Sequence, residues 1–316
     1  MINQEPLVSL GCPTYNRPDG LRQVLECLTN QTYSNLEIIV SDNCSRGAET
    51  SEVVRDLMSK DARIKYFRQE QNIGSFNNYK FLLEQAQGYY FAWICDDDAR
   101  SQTFIEACIQ EFDRLVTPVV VNSYSQRVDK QLNKIIAIDK GCNTMGLPAY
   151  RRYIKYISTI YTDQAAVTDI NYGIVRRDIM QKAMQDVPNI AGWDHILLAR
   201  LALEGEFYTI PTELMESAVS GISVSNANVM KAQQIQGSLS ETKPVWVRET
   251  YQQQTIRNSP HLTTTEKIGL SLWSYSHYFL THGVKMWVKE LFPELFEFVK
   301  SRVQRSKSLK QDLGDL

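Results

Sequence analysis

Neither sign of charge dominates the sequence, which has 34 basic and 36 acidic residues and a formal net charge of -2. This balance argues against a general nucleic-acid-binding protein. The sequence also lacks any apolar run approaching the roughly 20 residues of a membrane-spanning helix. Residues 1–6 have neither the basic nor the apolar segment of a signal peptide, so we expect none.

Cysteine and histidine are sparse and show no metal-ligand spacing. The six cysteines include no C-x-x-C pair, and the four histidines do not stand at zinc-ligand spacing from them. Cys12 and Cys95 fall in apolar runs that predict buried strands. We therefore expect a reduced, intracellular protein with neither a disulfide framework nor a zinc site, in which cysteine serves as a small apolar residue.

The first part of the chain alternates strand-like and helix-like segments. Helical periodicity recurs between the apolar runs, as in the stripe Leu21, Val24, Leu25 and Leu28. Such alternation predicts an α/β fold, a mostly parallel Rossmann-like sheet flanked by helices. Strands are predicted over 7–12, 36–40, 64–67, 89–95 and 119–121, and helices over 49–59, 77–87 and 104–112.

Polar segments follow three of these strands, at 13–17, 41–43 and 96–98. Ligands of such sheets bind beyond the carboxyl ends of the strands, so we expect a nucleotide-sized site there. The last segment is three adjacent carboxylates, whose mutual repulsion a divalent cation would remove while keeping positions for water and a diphosphate. A solvated acidic turn is the alternative, and the triplet alone does not decide between them.

The pattern loosens after about residue 125. We predict a helix over 150–162 and an apolar helix that opens at Gly192-Trp193-Asp194-His195 and closes near Gly205. A polar linker is predicted from about 226 to 244, and the remainder to Leu316 is mostly helical. The predicted organisation is thus a domain over 1–225 and a linker with a helical C-terminal region over 226–316.

Taken in order, several of these segments resemble family 2 glycosyltransferases, which have the GT-A fold and use nucleotide-activated sugars. The resemblance covers about residues 6 to 225, and each of its pieces is weak without the others. The matching stretches are Val8 to Arg17, Leu36 to Ser45, Gln71 to Gly74 with Asn77-Asn78, Ala86 to Tyr90 leading to Asp96-Asp97-Asp98, and Gly192-Trp193-Asp194.

The resemblance implies a set of donor-binding residues. A loop packs on the base and ribose, one carboxylate accepts hydrogen bonds from the base, and a further segment passes under the donor. Outside this motif, the aromatic residue and the strand-end carboxylate in the set would be ordinary turn residues. The residues implied are Pro13, Thr14, Tyr15 and Asn16 for the loop, Asp42 for the base, and Gly74 and Asn78 under the donor.

The aspartate triplet resembles the D-x-D region of the family, with one departure. Cys95 stands where many members have the first acid. The resemblance implies that Asp96 lies near the ribose or diphosphate, that Asp97 is the principal metal ligand, and that Asp98 is an alternative or supporting ligand. The implied ion is Mn2+ or Mg2+, bridging the donor phosphates.

Asp194 resembles the general base of the family, at the start of a helix below the acceptor. Its alternative role is the N-cap of that helix, and Trp193 beside it is either a platform for a sugar ring or a core residue. Many members have a basic residue near the position of 217–223, where this sequence has none. Lys231 or another linker residue would then close over the donor, unless the metal and backbone amides suffice.

We therefore predict a metal-dependent, inverting glycosyltransferase that acts in the cytoplasm, on a glycan or lipid-linked acceptor, with a UDP-sugar as the favoured donor. The alternatives are a sugar-nucleotide nucleotidyltransferase, for which a Gly-rich basic first loop is missing, and a catalytically silent nucleotide-sugar binding module. The C-terminal aromatic and basic residues predict peripheral contact with the inner membrane face, or packing on the catalytic domain or in a homo-oligomer.

Overall fold

The computed structural model describes residues 5–96, 98–129, 134–162, 169–218 and 244–280. The chain divides into two compact units, Met1–Leu262 and Thr263–Leu316. The predicted boundary between residues 225 and 226 lies outside the described residues and stays a prediction.

The predicted alternation of strands and helices is confirmed in the first half of the chain. Strand β1 extends through Pro13 to Thr14, beyond the predicted end, because Asn43 N–H donates to the Thr14 carbonyl and this pairing needs no N–H from Pro13. The elements are β1 (Val8–Thr14), α1 (Pro18–Thr29), β2 (Leu36–Asp42), α2 (Glu49–Met58), β3 (Ile64–Arg68), α3 (Ser75–Gln85), β4 (Tyr90–Trp93), β5 (Ala99–Arg100) and α4 (Phe104–Arg114).

The second half contributes the longer strands and further helices. They are β6 (Pro118–Asp129), β7 (Lys134–Asp139), α5 (Ala149–Thr162), β8 (Ile174–Arg176), α6 (Arg177–Met184), α7 (Trp193–Glu204), β9 (Glu206–Ala218) and α8 (Pro244–Asn258). The predicted helices over 150–162 and from 193 are confirmed as α5 and α7. Strands β5, β7, β8 and β9 and helix α6 were not predicted. Strand β7 is almost wholly exposed, and β5 and β8 have only two and three residues.

The described strands form one sheet in the order β3-β2-β1-β4-β8-β6-β9-β5, with β7 paired to β6. Strands β1 to β4 are parallel to one another, and β6 is parallel to β9. Strand β8 lies antiparallel between β4 and β6 and joins the two parallel groups. The predicted sheet is therefore confirmed, with antiparallel strands added in its second half.

Helices cover both faces of the sheet. One face buries every second residue of β1 and β4, such as Leu10 and Ala92, together with apolar side chains of α1, α2 and α4. On the other face, Gly11 leaves room for α3, since a Cβ there would lie 3.1 Å from Leu82 Cβ and from the Phe91 ring. The sheet therefore presents its two edges, and not its faces, to a ligand.

The predicted helical character of the C-terminal region is confirmed where the structure describes it. Helix α8 ends the first unit, and α9 (Thr264–Tyr278) begins with a capping box between Thr263 and Glu266. Tyr275 and Phe279 are both more than half exposed. The aromatic and basic residues predicted for contact from Trp287 to Lys310 lie outside the described residues.

None of the helices in the described ranges combines the length and the apolar character needed to cross a lipid bilayer.

A buried carboxylate, Glu37, joins the strands at the amino edge of the sheet. Its Oε1 accepts hydrogen bonds from Ser9 Oγ at 2.5 Å and from the Gln87 N–H at 2.6 Å, and its Oε2 lies 2.7 Å from Lys65 Nζ. Burial opposes ionisation, yet the hydrogen bonds from Lys65, Ser9 and Gln87 outweigh it and lower the pKa of Glu37. The carboxylate therefore ties β2 to β1, β3 and the start of β4.

We expect Glu37→Gln to lower the free energy of unfolding by about 1.5–3 kcal/mol, the scale of hydrogen bonds to a charged group. Because the folded pKa is lowered, this contribution is present above the ordinary value near 4.5 and is lost as the pH falls through the folded pKa. Urea unfolding of both proteins between pH 3 and 7 measures the difference.

The control is Glu84→Gln, which removes an exposed pair whose Lys80 Nζ lies 3.8 Å from Glu84 Oε1. Its cost should be below about 0.5 kcal/mol. Equal costs for the two variants, or a Glu37 cost that grows on acidification, would contradict the assignment.

Candidate active site

Three strand ends meet at one edge of the sheet, as the polar segments predicted. Strand β1 ends at Thr14, in register with Asp42 at the end of β2. Strand β4 ends at Trp93, and the chain continues to Asp96, whose Oδ2 accepts a hydrogen bond from Thr14 Oγ1 at 2.9 Å. The fold therefore gathers the donor-site candidates of β1, β2 and β4 at this carboxyl edge.

Asp96 is buried and held from two sides. Besides the bond from Thr14, its Oδ1 lies 3.1 Å from Arg17 Nη1, just before α1. A Cβ at Gly20, in the first turn of α1, would lie 2.2 Å from the Asp96 carbonyl oxygen. Helix α1 can approach the acidic turn this closely only because Gly20 has no side chain.

The other end of the triplet also faces an arginine. Asp98, whose side chain is 9% exposed, has its Oδ2 3.8 Å from Nη2 of Arg100 on β5. Asp97, the predicted principal metal ligand, lies outside the described residues. Two arginines of the chain itself therefore partly offset the repulsion within the triplet, for which the sequence analysis considered a cation or a solvated turn.

The predicted base-and-ribose loop follows β1. Pro13 is still in the strand, opposite Ser41 of β2. Tyr15 is 38% exposed, and Asn16 has a left-handed backbone with φ of 56°. Asn16 is fixed to the neighbouring loop, since its N–H donates to Ser45 Oγ at 2.8 Å.

Asp42, the predicted base-reading carboxylate, is buried with protein donors on both oxygens. Oδ1 accepts the Ser45 N–H at 2.8 Å, and Oδ2 accepts the Tyr66 hydroxyl at 2.9 Å, with Arg68 Nε at 3.9 Å. Burial and this hydrogen bond raise the pKa of Tyr66, so the hydroxyl stays protonated and donates. A carboxylate has about four acceptor positions, so Asp42 keeps capacity for a further donor.

Gly74 and Asn78 lie at the start of α3, with different local roles. Gly74 precedes the helix with φ of 81°, a conformation that favours glycine. Its N–H donates to Asn72 Oδ1 at 2.9 Å. Asn78 is buried, and its amide accepts from Ser41 Oγ at 2.6 Å and donates to the Ser41 carbonyl at 3.0 Å, which fastens α3 to the end of β2.

Trp193 belongs to a buried aromatic cluster and is not an open platform for a sugar ring. Its ring contacts Phe76 and Tyr79 of α3 and Trp93 of β4 edge-on or tilted, with centroids 5.3–5.8 Å apart. Trp93 also donates its indole N–H to the Tyr79 carbonyl at 3.0 Å. This cluster brings the start of α7 to the same edge of the sheet as Asp96.

Asp194 is the second residue of α7 and is not its N-cap, so the capping alternative is wrong. The N-cap is Gly192, in the left-handed conformation with φ of 79° and ψ of 26°, which moves the helix start ahead of Asp194. The Asp194 side chain is partly exposed. Within the described residues, its carboxylate makes no hydrogen bond or ion pair. The described structure therefore leaves this carboxylate open to contact with a ligand.

Two residues missed by sequence reasoning, His195 and Arg248, contact each other directly after Asp194 in the first turn of α7. Burial lowers the pKa of His195; Asp194 opposes the shift and Arg248 adds to it. Arg248 Nη1 of α8 lies 3.2 Å from His195 Nδ1, and since arginine only donates, Nδ1 accepts and Nε2 carries the proton. No local signal could have linked these residues, because 53 positions separate them.

Helix α8 thus supplies a basic residue to this edge, whereas the sequence left open a linker residue or none. Lys231, the predicted candidate, lies outside the described residues, as do residues 219–243 as a whole. Arg248 also packs on the turn before α7, since a Cβ at Gly192 would lie 3.1 Å from its Nη1.

The described residues contain no group of three or more His, Cys, Asp or Glu side chains arranged to hold a metal ion. Magnesium is usually held by one or two carboxylates, with water and substrate phosphates completing its shell, so a full protein cage is not required. Asp96 is already engaged by Thr14 and Arg17. Asp98, which lies 3.8 Å from Arg100, is a second described carboxylate with the oxygen chemistry that such an ion prefers.

Cys95, noted in the sequence as a departure from the family pattern, contacts a residue of the aromatic cluster. Its Sγ lies 3.1 Å from the Tyr79 hydroxyl. Burial, with the neighbouring thiol, raises the pKa of Tyr79 well above its ordinary value. Cys95 therefore extends the buried aromatic cluster.

The sequence matches the model of one known protein family. The sequence profile described as Glycosyl transferase family 2 matches residues 9–177, just over half of the 316-residue chain. The chain therefore belongs to glycosyl transferase family 2.

Curated relatives match over shorter stretches. A GalNAc(5)-diNAcBac-PP-undecaprenol beta-1,3-glucosyltransferase of Campylobacter jejuni is 39% identical over 94 residues, 29% of this chain and 30% of the relative. The teichuronic acid biosynthesis glycosyltransferase TuaG of Bacillus subtilis is 33% identical over 98 residues, 31% of this chain and 38% of the relative. The chain thus spans well under half the length of these relatives.

Among solved structures, residues 1–349 of S. aureus TarS in complex with UDP-GlcNAc superpose with a TM-score of 0.65 at 15% identity, covering 88% of this chain and 75% of that one. The UDP complex of the same protein gives a TM-score of 0.63, covering 88% and 74%. At this identity the likeness establishes the shared GT-A fold.

We expect Gly20→Ala to destabilise the protein, although alanine favours helices by about 1 kcal/mol over glycine. The added methyl would meet the Asp96 carbonyl at 2.2 Å, and relieving that overlap should cost about 1–3 kcal/mol more than the helical gain. Chemical denaturation provides the measurement.

The matched control is Gly269→Ala in α9, where a Cβ meets nothing within 4 Å. That variant should be stabilised by about 0.5–1 kcal/mol. If both substitutions stabilise, helix α1 does not approach the acidic turn this closely.

Proposed function

We propose that this protein is an inverting glycosyltransferase, which moves a sugar from a nucleotide-sugar donor to an acceptor hydroxyl. The proposal rests on one observation. The ends of β1, β2 and β4 meet at one edge of the sheet, and the aromatic cluster brings the unengaged carboxylate of Asp194 to the same edge. The family membership supports the same reaction class.

The donor is proposed to lie over the loops after β1 and β2. Tyr15 offers an exposed ring beside backbone N–H groups, which suits a flat heterocycle. Asp42 would accept the uracil N–H through its remaining acceptor capacity, which favours a UDP-sugar. The fold shared with a protein solved with UDP and with UDP-GlcNAc supports this choice.

Asp194 is proposed as the general base. It would take the proton of the acceptor hydroxyl as that oxygen attacks the anomeric carbon from the face opposite the donor phosphate. The bond from the anomeric carbon to the phosphate oxygen breaks as the new glycosidic bond forms, and the nucleoside diphosphate leaves with the electron pair. One displacement inverts the configuration, so no second catalytic carboxylate is needed.

The other residues of this edge orient the reactants. Thr14 and Arg17 hold Asp96 beside the position proposed for the ribose and diphosphate, and neutral His195 with Arg248 fixes the turn that carries the base. A Mn2+ or Mg2+ ion held by Asp97 and Asp98 would neutralise charge on the leaving diphosphate when bound.

The acceptor is proposed to be a growing glycan or a lipid-linked sugar. The relative from Campylobacter is named for an undecaprenol-linked acceptor and the one from Bacillus for teichuronic acid biosynthesis, which supports a role in a surface polysaccharide or glycoconjugate. A lipid-linked acceptor would require contact with the inner membrane face. The exposed Tyr275 and Phe279 are the described candidates for that contact or for contact with a second copy of the chain.

We expect Asp194→Asn to lower sugar transfer by roughly 100- to 10,000-fold, the usual contribution of a positioned base. Because Asp194 makes no capping bond, loss of its charge in the first turn should cost only about 0.3–1 kcal/mol of stability. UDP-sugar binding should be retained. Transfer assays, calorimetry and thermal unfolding measure the three quantities.

The matched control is Asp178→Asn, which changes the second residue of α6, the same helical position, beyond the amino end of β4. It should leave transfer unchanged. Wild-type transfer by Asp194→Asn would remove Asp194 from the mechanism and direct the search to Asp163 or Asp169. A wild-type protein that binds UDP-sugar without transferring it or hydrolysing it would instead support the silent binding module.

The metal proposal predicts that Asp97→Ala abolishes transfer and the Mn2+-dependent part of UDP binding, with the melting temperature unchanged. UDP titrations with Mn2+ and with EDTA provide the measurement, because a ligand that binds the native state also raises its melting temperature. Asp113→Ala, at an exposed position of α4, is the control. Full transfer in EDTA would contradict the proposal.

A further inference from the structure

Arg100 has a guanidinium group in the protein interior, directly behind the acidic turn. Its side chain is 1% exposed, and its Cζ lies 5.5 Å from the centre of the Phe104 ring. Charged side chains this deeply buried are rare unless they are paired, because leaving water is costly for an ion. A core position that faces a phenylalanine ring would ordinarily be apolar.

The hydrogen bonds of this guanidinium are incomplete. Nη1 donates to the Ala99 carbonyl at 2.9 Å, but Nε and Nη2 have no hydrogen-bond partner within the described residues. A counter-ion, Asp98 Oδ2, lies 3.8 Å from Nη2, which is an ion-pair distance but too long for a hydrogen bond. A buried cation left in this state is not explained by its contribution to folding.

The backbone of Arg100 is firmly held. Arg100 pairs with Met215 of β9, and its carbonyl accepts from Cys27 Sγ of α1 at 3.0 Å. Ser101 N–H donates to the Leu214 carbonyl at 2.8 Å. The guanidinium is therefore a fixed charge, against which the nearly buried Asp98 carboxylate takes its position.

We propose that Arg100 is a positioning residue of the donor site: its buried guanidinium is a fixed counter-charge that holds the Asp98 carboxylate in place for the donor diphosphate. This inference rests on the proposed function. Arg17 pairs with Asp96 in the same way, but Arg17 is partly exposed, so water also compensates its charge. Asp98 is nearly buried, so less water is available to compensate its charge.

The experiment replaces Arg100 with methionine, which keeps an unbranched apolar side chain and removes the unpaired N–H groups. We expect the melting temperature to stay the same or rise, because a buried ion is often replaced by an apolar residue without loss. Affinity for UDP in the presence of Mn2+ should nevertheless fall by about 10- to 100-fold, as when a group supporting a ligand is removed.

Two further variants separate positioning from general packing. Asp98→Asn should lower UDP affinity, and the double variant with Arg100→Met should be no weaker than Asp98→Asn alone, because the charge that Arg100 balances is already gone. The matched control is Arg176→Met: Arg176 also has a buried Nε without a partner in the described structure, but it pairs with Tyr90 at the amino edge. Its UDP affinity should equal that of the wild type.

Each outcome decides the inference. Wild-type UDP affinity in Arg100→Met, or additive losses in the double variant, overturns it. If the methionine variant does not fold, Arg100→Lys takes its place; it keeps the charge, and its effect must again vanish in the Asp98→Asn background. A wild-type protein that binds none of UDP, GDP, dTDP and ADP overturns the proposed function, and this inference with it.

Discussion

The hydrogen bonds that Asp96 accepts from Thr14 and Arg17 are the interaction on which the candidate site depends. They join the loop after β4 to the end of β1 and to the start of α1. The loop after β2 is held in turn by Asn16 and Asp42. Without the bonds to Asp96, a run of three carboxylates would have no reason to stay at the rim of the core, since each would be better solvated further out.

The two edges of the sheet use buried charge in opposite ways. At the amino edge, Glu37 is fully engaged by Lys65, Ser9 and backbone N–H groups, and its charge serves stability. At the carboxyl edge the balance is incomplete: Arg100 keeps unpaired N–H groups and Asp194 accepts no hydrogen bond within the described chain. Incomplete pairing is unfavourable for folding, and it leaves these groups able to respond to a ligand.

Most elements of the first 125 residues could be predicted from the sequence because each has a recognisable pattern within a few residues. The stripe of α1 and the apolar runs of the parallel strands are visible within a few residues. Strands β7 and β9 mix polar with apolar residues, and their places in the sheet are set by pairing with β6, which no local pattern encodes. The fold class was therefore predictable, and the added strands were not.

The same distinction applies to the site. Asp96 and Asp194 stood out because they belong to short motifs, whereas Arg100 and Arg248 reach the site through the packing of β5 against β9 and of α8 against α7. The N-cap alternative for Asp194 failed on one backbone angle, since the left-handed Gly192 begins the helix earlier. Such angles depend on the neighbouring elements and not on residue type alone.

The aromatic cluster around Trp193 constrains how the candidate site of this protein can vary. Its rings pack against both the end of β4 and the start of α7, the helix that carries Asp194. Under the proposed function, altering the volume of any one ring would shift the end of β4 and the start of α7 together, so changes in donor preference and in acceptor activation would be coupled. Substrate preference would then vary through the loops at the carboxyl edge, where a side chain can change without moving its neighbours.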